Sequence, residues 1–182
     1  QAAKDSSTER GGLEGMSEEE KDAIYHKIGL AALKYFIIKI NPRKRMTFDP
    51  NASVDMQGTT GPYIQNAYVR IQSVLRKVKQ AGFEQVPFEG QISYETLDRE
   101  LLVMMASYPI VLEEALEKYD PSVVASFCYN LAKNFHRYYH DNVILDAENA
   151  VVSSYRIYLA TSIAQILKKG MKLLGIEMPD YM

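Results

Sequence analysis

Two stretches of this 182-residue chain carry side chains whose types and spacing suit contact with a polyanion that exposes flat rings. The first, residues 58–77, reads G-T-T-G-P-Y-I-Q-N-A-Y-V-R-I-Q-S-V-L-R-K. Thr60 is a good N-cap type and Pro62 falls in the first turn, where its missing N–H had no partner to lose, so a helix starts here. Along it Tyr63, Asn66, Arg70, Ser73 and Lys77 recur every three or four residues and share one edge. A ring, an amide, a guanidinium and an ammonium in a row can stack on a base, bond to its edge and neutralise phosphate. The plainer alternative has Tyr63 closing the helix start and the rest as solvated surface. Spacing alone favours the plainer one.

The second stretch, residues 134–145, reads N-F-H-R-Y-Y-H-D-N-V-I-L. Helical spacing gathers Lys133, His136, Arg137 and His140 on the side away from an apolar stripe of Val124, Phe127, Cys128, Leu131, Phe135 and Tyr138. Tyr139 stands at the border, where a tyrosine either keeps one edge packed and offers a face to a base or lies flat over the core rim. Periodicity favours the flat ring. His136 and His140 have the i, i+4 spacing of a metal pair, but no Glu follows His136 and no third ligand is evident. Basic decoration is the better reading, with no metal.

The elements that must position these groups all read as helices. Ser17 with Glu20 forms a capping box for a helix to about Ile40, burying Ile24, Ile28, Ala31, Ala32, Tyr35 and Ile38 and stopped by Asn41-Pro42. In the helix from residue 58 to 78, Ile64, Ala67, Ile71, Val74, Leu75 and Val78 form the core face. Residues 81–90 are a connector. Ser93 is expected to cap a helix over 94–105, and Tyr108-Pro109 to start another over 110–118. Glu113, Glu114 and Glu117 point outward there and turn that face from any polyanion. Asp120-Pro121 opens the helix that carries Tyr139. The last helix, about 148–174, has Val151, Val152, Tyr155, Tyr158, Leu159, Ile163, Ile166, Leu167 and Leu173 inward. Gly170 costs it ~1 kcal/mol against alanine unless close packing requires it. Gly175 suits the C-terminal cap, and Lys168, Lys169 and Lys172 complement the helix dipole or meet phosphate.

Composition excludes several classes. Hydrophobic residues make up 47% and charged ones 24%, the balance of a globular domain rather than a disordered tail. A net charge of −2 means that any nucleic-acid site is a local patch. The single cysteine, Cys128, excludes an internal disulfide and reads as a buried thiol in a reducing compartment. No apolar run approaches the ~20 residues of a membrane span, and cytoplasm is the expected location. Residues 1–16 are polar and expected to be partly mobile, beginning mid-protein because Gln1 is no initiator. Apolar side chains around Tyr35, Phe36 and Phe48 are expected at the surface of such a piece.

Three strings carry a family resemblance. F-D-P-x-x-S-V-D-x-Q-G-x-T-G-P-Y-I-Q-N-A-Y-V-R-I, residues 48–71, closely resembles the segment joining catalytic core and anticodon-binding domain in arginyl-tRNA synthetases. The 134–145 string is similar to an internal helix of that family, and R-I-Y-L-A-T-S-I-A-Q-I-L-K-K-G-M-K-L-L-G-I-E-M-P-D-Y-M, residues 156–182, looks like its last helix and closing segment. The resemblance implies an all-α, DALR-type anticodon-binding helical bundle over 58–182, preceded over 1–57 by a connector helix and the end of the catalytic core. It implies a parent arginine–tRNA ligase and, as partners, the anticodon arm of tRNA(Arg) and the chain's own upstream catalytic domain.

Carried over residue by residue, the resemblance makes Tyr63, Arg70, Tyr139 and the terminal Met182 surround the anticodon loop. Asn66 stands where the family usually has an aromatic, which removes one stacking platform. Lys77, Lys133, His136 and Arg137 complete the expected RNA surface, and the basic run Arg43-Lys44-Arg45 is expected to meet phosphate. Neither an H-I-G-H-like nor a K-M-S-K-like signature occurs, nor a phosphate-binding G-x-x-x-x-G-K-[ST] loop or a nucleophile motif. This chain is therefore expected to catalyse nothing alone and to need no cofactor, ATP and magnesium belonging to the parent enzyme. A different class remains open: a helical protein-interaction domain of the same fold, docking through a surface rich in the chain's thirteen tyrosines.

Overall fold

Ser17 accepts from the Glu20 N–H at 3.2 Å while the Glu20 carboxylate accepts from the Ser17 N–H at 2.9 Å, and this reciprocal cap starts helix α1, Glu18–Ile38. The computed structural model describes residues 13, 15–47, 49–55, 57–90, 92–146 and 148–182, and among these there are seven helices and no strand. The others are α2, Pro50–Val54; α3, Gly61–Gln80; α4, Thr96–Ala106; α5, Tyr108–Lys118; α6, Ser122–Asp141; and α7, Ala150–Leu173. Most of residues 1–16, with Phe48, lie outside the described residues.

The core sits between α3, α6 and α7, with α1 laid across the start of α3 and the α4–α5 pair packed on α6. The six stripe residues from Val124 to Tyr138 are all buried. Tyr35 is fully enclosed and its hydroxyl donates to the Ala125 carbonyl at 3.2 Å, which ties α1 to α6. At Gly170 α6 and α7 approach closely: a Cβ there would stand 2.6 Å from Cys128 Sγ. Close packing is thus why the helix tolerates glycine. Burial also pushes the Cys128 thiol up to about 12, so it is an inert thiol packed as a small hydrophobe.

Several local expectations need correction. Phe36 is buried beside Tyr35, whose burial follows the core face expected for α1, and the exposed apolar face of α1 is instead formed by Leu30, Leu33 and Ile37. Tyr158 and Leu173, expected inward on α7, are 59% and 63% exposed: the connector before α4 reaches α7 at Ser154, and its Phe88 ring, 5.7 Å from the Tyr158 ring, leaves most of that side chain in solvent. The cap of α4 is Glu95 with Asp98, not Ser93, since the Asp98 carboxylate accepts from the Glu95 N–H at 2.9 Å. The Asp120 carboxylate does accept from the Ser122 N–H at 2.9 Å, although the helix proper begins after Pro121. Helix α2 was not expected at all, yet Asp49-Pro50 opens it with the same signature, Asp49 accepting from the N–H groups of Asn51 and Ala52.

The end of the chain is held down rather than loose. Gly175 adopts φ +69°, and the Ile176 N–H returns to the Met171 carbonyl at 2.9 Å, a six-to-one closure that ends α7. Beyond it Lys34 bonds the Gly175 carbonyl, Gln65 the Glu177 carbonyl and Arg76 the Asp180 carbonyl, so the tail runs along α1 and then α3.

Candidate nucleic-acid interface

Helices α3 and α6 run side by side in the same direction, because their contacts ascend together: Tyr63 meets Tyr129 and His136, Arg70 meets His136 and Tyr139, and Val74 and Lys77 face residues 139–145. The seam between them carries the site. At its start the Tyr63 ring lies 5.2 Å from Tyr129 and 4.8 Å, edge-on, from the His136 ring. Thr60, which accepts from the Tyr63 N–H, fixes where this ring leaves the helix.

Midway along the seam, Arg70 Nη1 approaches His136 Nδ1 at 3.3 Å and its guanidinium carbon stands 4.9 Å from the Tyr139 ring centroid. A guanidinium only donates, so His136 Nδ1 is the bare acceptor and the ring proton sits on Nε2, facing the Tyr63 carbonyl at 3.4 Å. Burial, with the Arg70 charge beside it, lowers the His136 pKa to about 4. His136 is therefore a neutral, half-buried strut between α3 and α6. The expectation of basic decoration fails because both ring nitrogens are engaged inside the protein. His140 points outward and pairs with its neighbour Asp141 at 2.9 Å.

At the end of the seam an open cleft of about 400 Å³ is lined by Val74 and Lys77 from α3, Tyr139, His140 and Asp141 from α6, and residues 142–145 of the following loop. Ile144 is buried beneath it. An apolar floor with a half-buried ring and an ammonium at the rim matches the needs of a splayed nucleotide, which buries a flat face and keeps its phosphate in solvent.

Of the residues expected at an RNA surface, Tyr63, Arg70, His136, Tyr139 and Lys77 come together along this seam. Asn66 is half-buried on the same edge of α3. Lys133 and Arg137 are exposed but turn elsewhere: at about 100° per residue, Arg137 is about 160° round α6 from Tyr139 and Lys133 about 120°. Among the described residues, no hydrogen bond or ring contact joins Met182 to the cluster. The backbone leading to it is tied to Arg76, about 120° round α3 from Arg70, and the Tyr181 ring lies 4.1 Å from the Arg76 guanidinium. Tyr129 and the loop wall 142–145 were missed. Tyr129 was within reach of the pattern, lying seven residues before His136 on one face, whereas an irregular loop leaves no period to read.

With this geometry in hand, comparison with known families matches residues 64–182 to the DALR anticodon binding domain. The chain belongs to that family. Among curated proteins, this DALR chain is 44% identical over 183 residues to an arginine–tRNA ligase of Bacteroides thetaiotaomicron, aligning 99% of itself with 30% of that protein. It is 38% identical over 184 residues to one of Amoebophilus asiaticus, covering all of itself and 31% of the relative. Among solved structures, arginyl-tRNA synthetase of Thermus thermophilus superposes with a TM-score of 0.86 at 27% identity, over 99% of this chain and 30% of that one. The chain thus spans about a third of the length of the relatives it matches, and the all-helical architecture expected from the sequence is the one shared. No described helix is long and apolar enough to cross a membrane.

Proposed function

We propose that the α3–α6 seam of this DALR domain grips the anticodon arm of an arginine-accepting tRNA, so that a catalytic region elsewhere in a longer arginine–tRNA ligase can charge the distant acceptor end. The observation that carries this reading is the cleft beside Tyr139, with Lys77 at its rim and the Arg70 guanidinium over the same ring. A ring fixed by a stacked cation and opening on an apolar-floored cleft is a ready platform for one unpaired base. The family match and the names of the relatives support the same assignment.

In this reading residues 58–182 form the RNA-gripping bundle and residues 1–57 link it to the catalytic core. The apolar side chains Leu30, Leu33 and Ile37, 38%, 40% and 48% exposed on α1, suit packing against that core. ATP and magnesium are assigned to the catalytic region, and this chain alone is expected to form no charged tRNA when given ATP, arginine and tRNA. Work in the cytoplasm fits such a protein.

The test is a salt titration of anticodon stem–loop binding. Phosphate contacts make the affinity fall log-linearly with salt, with a slope of roughly −0.7 to −0.9 per phosphate neutralised. A salt-insensitive partner, or no RNA binding at all, would favour the protein-docking alternative instead.

A further inference from the structure

The loop that walls the cleft is held from behind by a residue that does not enter it. Arg156 of α7 is half-buried, and its Nη1 donates to the Val143 carbonyl at 2.7 Å while Nη2 donates to Asn142 Oδ1 at 2.8 Å. Asn142 in turn donates through Nδ2 to the Tyr138 carbonyl at 3.1 Å, closing the last turn of α6. The guanidinium fork therefore fixes both the side chain that ends the helix and the first carbonyl beyond it. Residues 142–145, which line the cleft with Lys77 and Tyr139, have no regular ladder of their own.

Arg156 is itself set in a built surrounding. On its far side it lines a second, smaller cavity with Asp98, Tyr138 and Tyr155. The buried Asp98 carboxylate accepts from the Tyr155 hydroxyl at 3.0 Å and from the Glu95 N–H at 2.9 Å, so the α4 cap, α6 and α7 meet behind the loop. Burial and the Asp98 charge keep the Tyr138 phenol protonated, with Arg156 alongside as the opposing charge.

We infer that Arg156 is a positioning residue for RNA binding, whose two-pronged grip on Asn142 and Val143 sets the wall against which a nucleotide stacked on Tyr139 is held. This rests on the reading of the cleft as an anticodon site. The grip matters because a pre-set wall spares the complex the cost of ordering the loop at the moment of binding. Geometry is the active ingredient: a lysine keeps the charge but not the planar fork that reaches two acceptors.

The experiment compares wild type, R156Q and R156K in the full chain, using an arginine-tRNA anticodon stem–loop as probe across a salt series, with amide hydrogen exchange read in parallel. Expected for R156Q is a roughly tenfold loss of affinity at every salt with the slope unchanged, together with faster exchange at residues 143–145 and unchanged exchange in α3. R156K loses nearly as much, and it carries the test if R156Q does not fold. Binding by both variants within twofold of wild type overturns the inference while leaving the proposed function standing. A slope shallower by about one unit also overturns it, since Arg156 would then touch phosphate directly. A wild-type chain that binds no anticodon arm overturns the proposed function and this inference together.

Discussion

Arg70 of α3 and Tyr139 of α6 form a stacked pair, guanidinium carbon to ring centroid 4.9 Å, at the point where the seam between the two helices opens into the cleft. The pair joins the two sequence stretches whose side chains suited a polyanion, and it does so with one charge already spent on holding a ring. In the proposed function Tyr139 is the platform, and Arg70 both supports that ring and attracts phosphate.

Removing the platform should cost most. Tyr139→Ala is expected to weaken anticodon stem–loop binding by about 1–3 kcal/mol, roughly five- to 150-fold, as for loss of one base stack. Glu113→Ala, on the exposed outer face of α5, should leave it unchanged. Direct fluorescence titration of both variants checks this, and equal losses in the two would count against the seam.

Lys77→Ala separates attraction from stacking. Lys77 is exposed at the cleft rim, so its loss should reduce the salt slope by about one phosphate's worth, whereas Tyr139→Ala should lower affinity without changing the slope. Parallel slopes for wild type and Lys77→Ala would exclude a phosphate contact there.

His136 makes stability depend on pH in a definite direction. Its folded pKa, about 4, lies below the ordinary imidazole value of 6.5, so between these values the unfolded chain binds a proton that the folded chain refuses. The contribution is complete above pH 6.5 and is lost progressively as pH falls toward 4. Denaturant midpoints at pH 7 and pH 5 should differ less in His136→Gln than in wild type. Arg70→Ala should raise the His136 pKa partway, because burial remains as the larger cause, and an imidazole NMR titration reads this out. A His136 that titrates near 6.5 in the wild type would remove the neutral strut.

Gly170→Ala tests the close contact between α6 and α7. The new methyl would stand 2.6 Å from Cys128 Sγ, and overpacking of about 1–3 kcal/mol should outweigh the gain of ~1 kcal/mol in helix propensity. In the double variant with Cys128→Ala the clash is gone, so the two changes should be strongly non-additive in urea unfolding. Additive effects would mean that α6 and α7 can shift apart freely.

The helices were legible because their signals are local. Thr60-Gly61-Pro62, Ser17 with Glu20, and Asp120-Pro121 announce starts through caps, and the stripe from Val124 to Tyr138 announces a buried face through its period. Asp49-Pro50 carried the same announcement for α2 and went unread. What the sequence could not display is which exposed edge meets which. The edge of α6 holding Lys133 and Arg137 has the right charge, yet helix rotation carries it away from Tyr139, and only the packing of α3 selects His136 and Tyr139 instead. Periodicity also overestimated burial at Tyr158 and Leu173, since a helix is buried only where something lies over it. The loop wall and its Arg156 brace join residues 13 and 14 positions apart through side-chain bonds, a relationship with no pattern along the chain.

The most direct measurement is backbone amide NMR of the isotope-labelled chain as an anticodon stem–loop RNA is added. The largest shifts are expected at Lys77, Tyr139 and residues 142–145, with α5 silent. Shifts concentrated on α5 or on the apolar face of α1, with the cleft unmoved, would contradict the proposed interface.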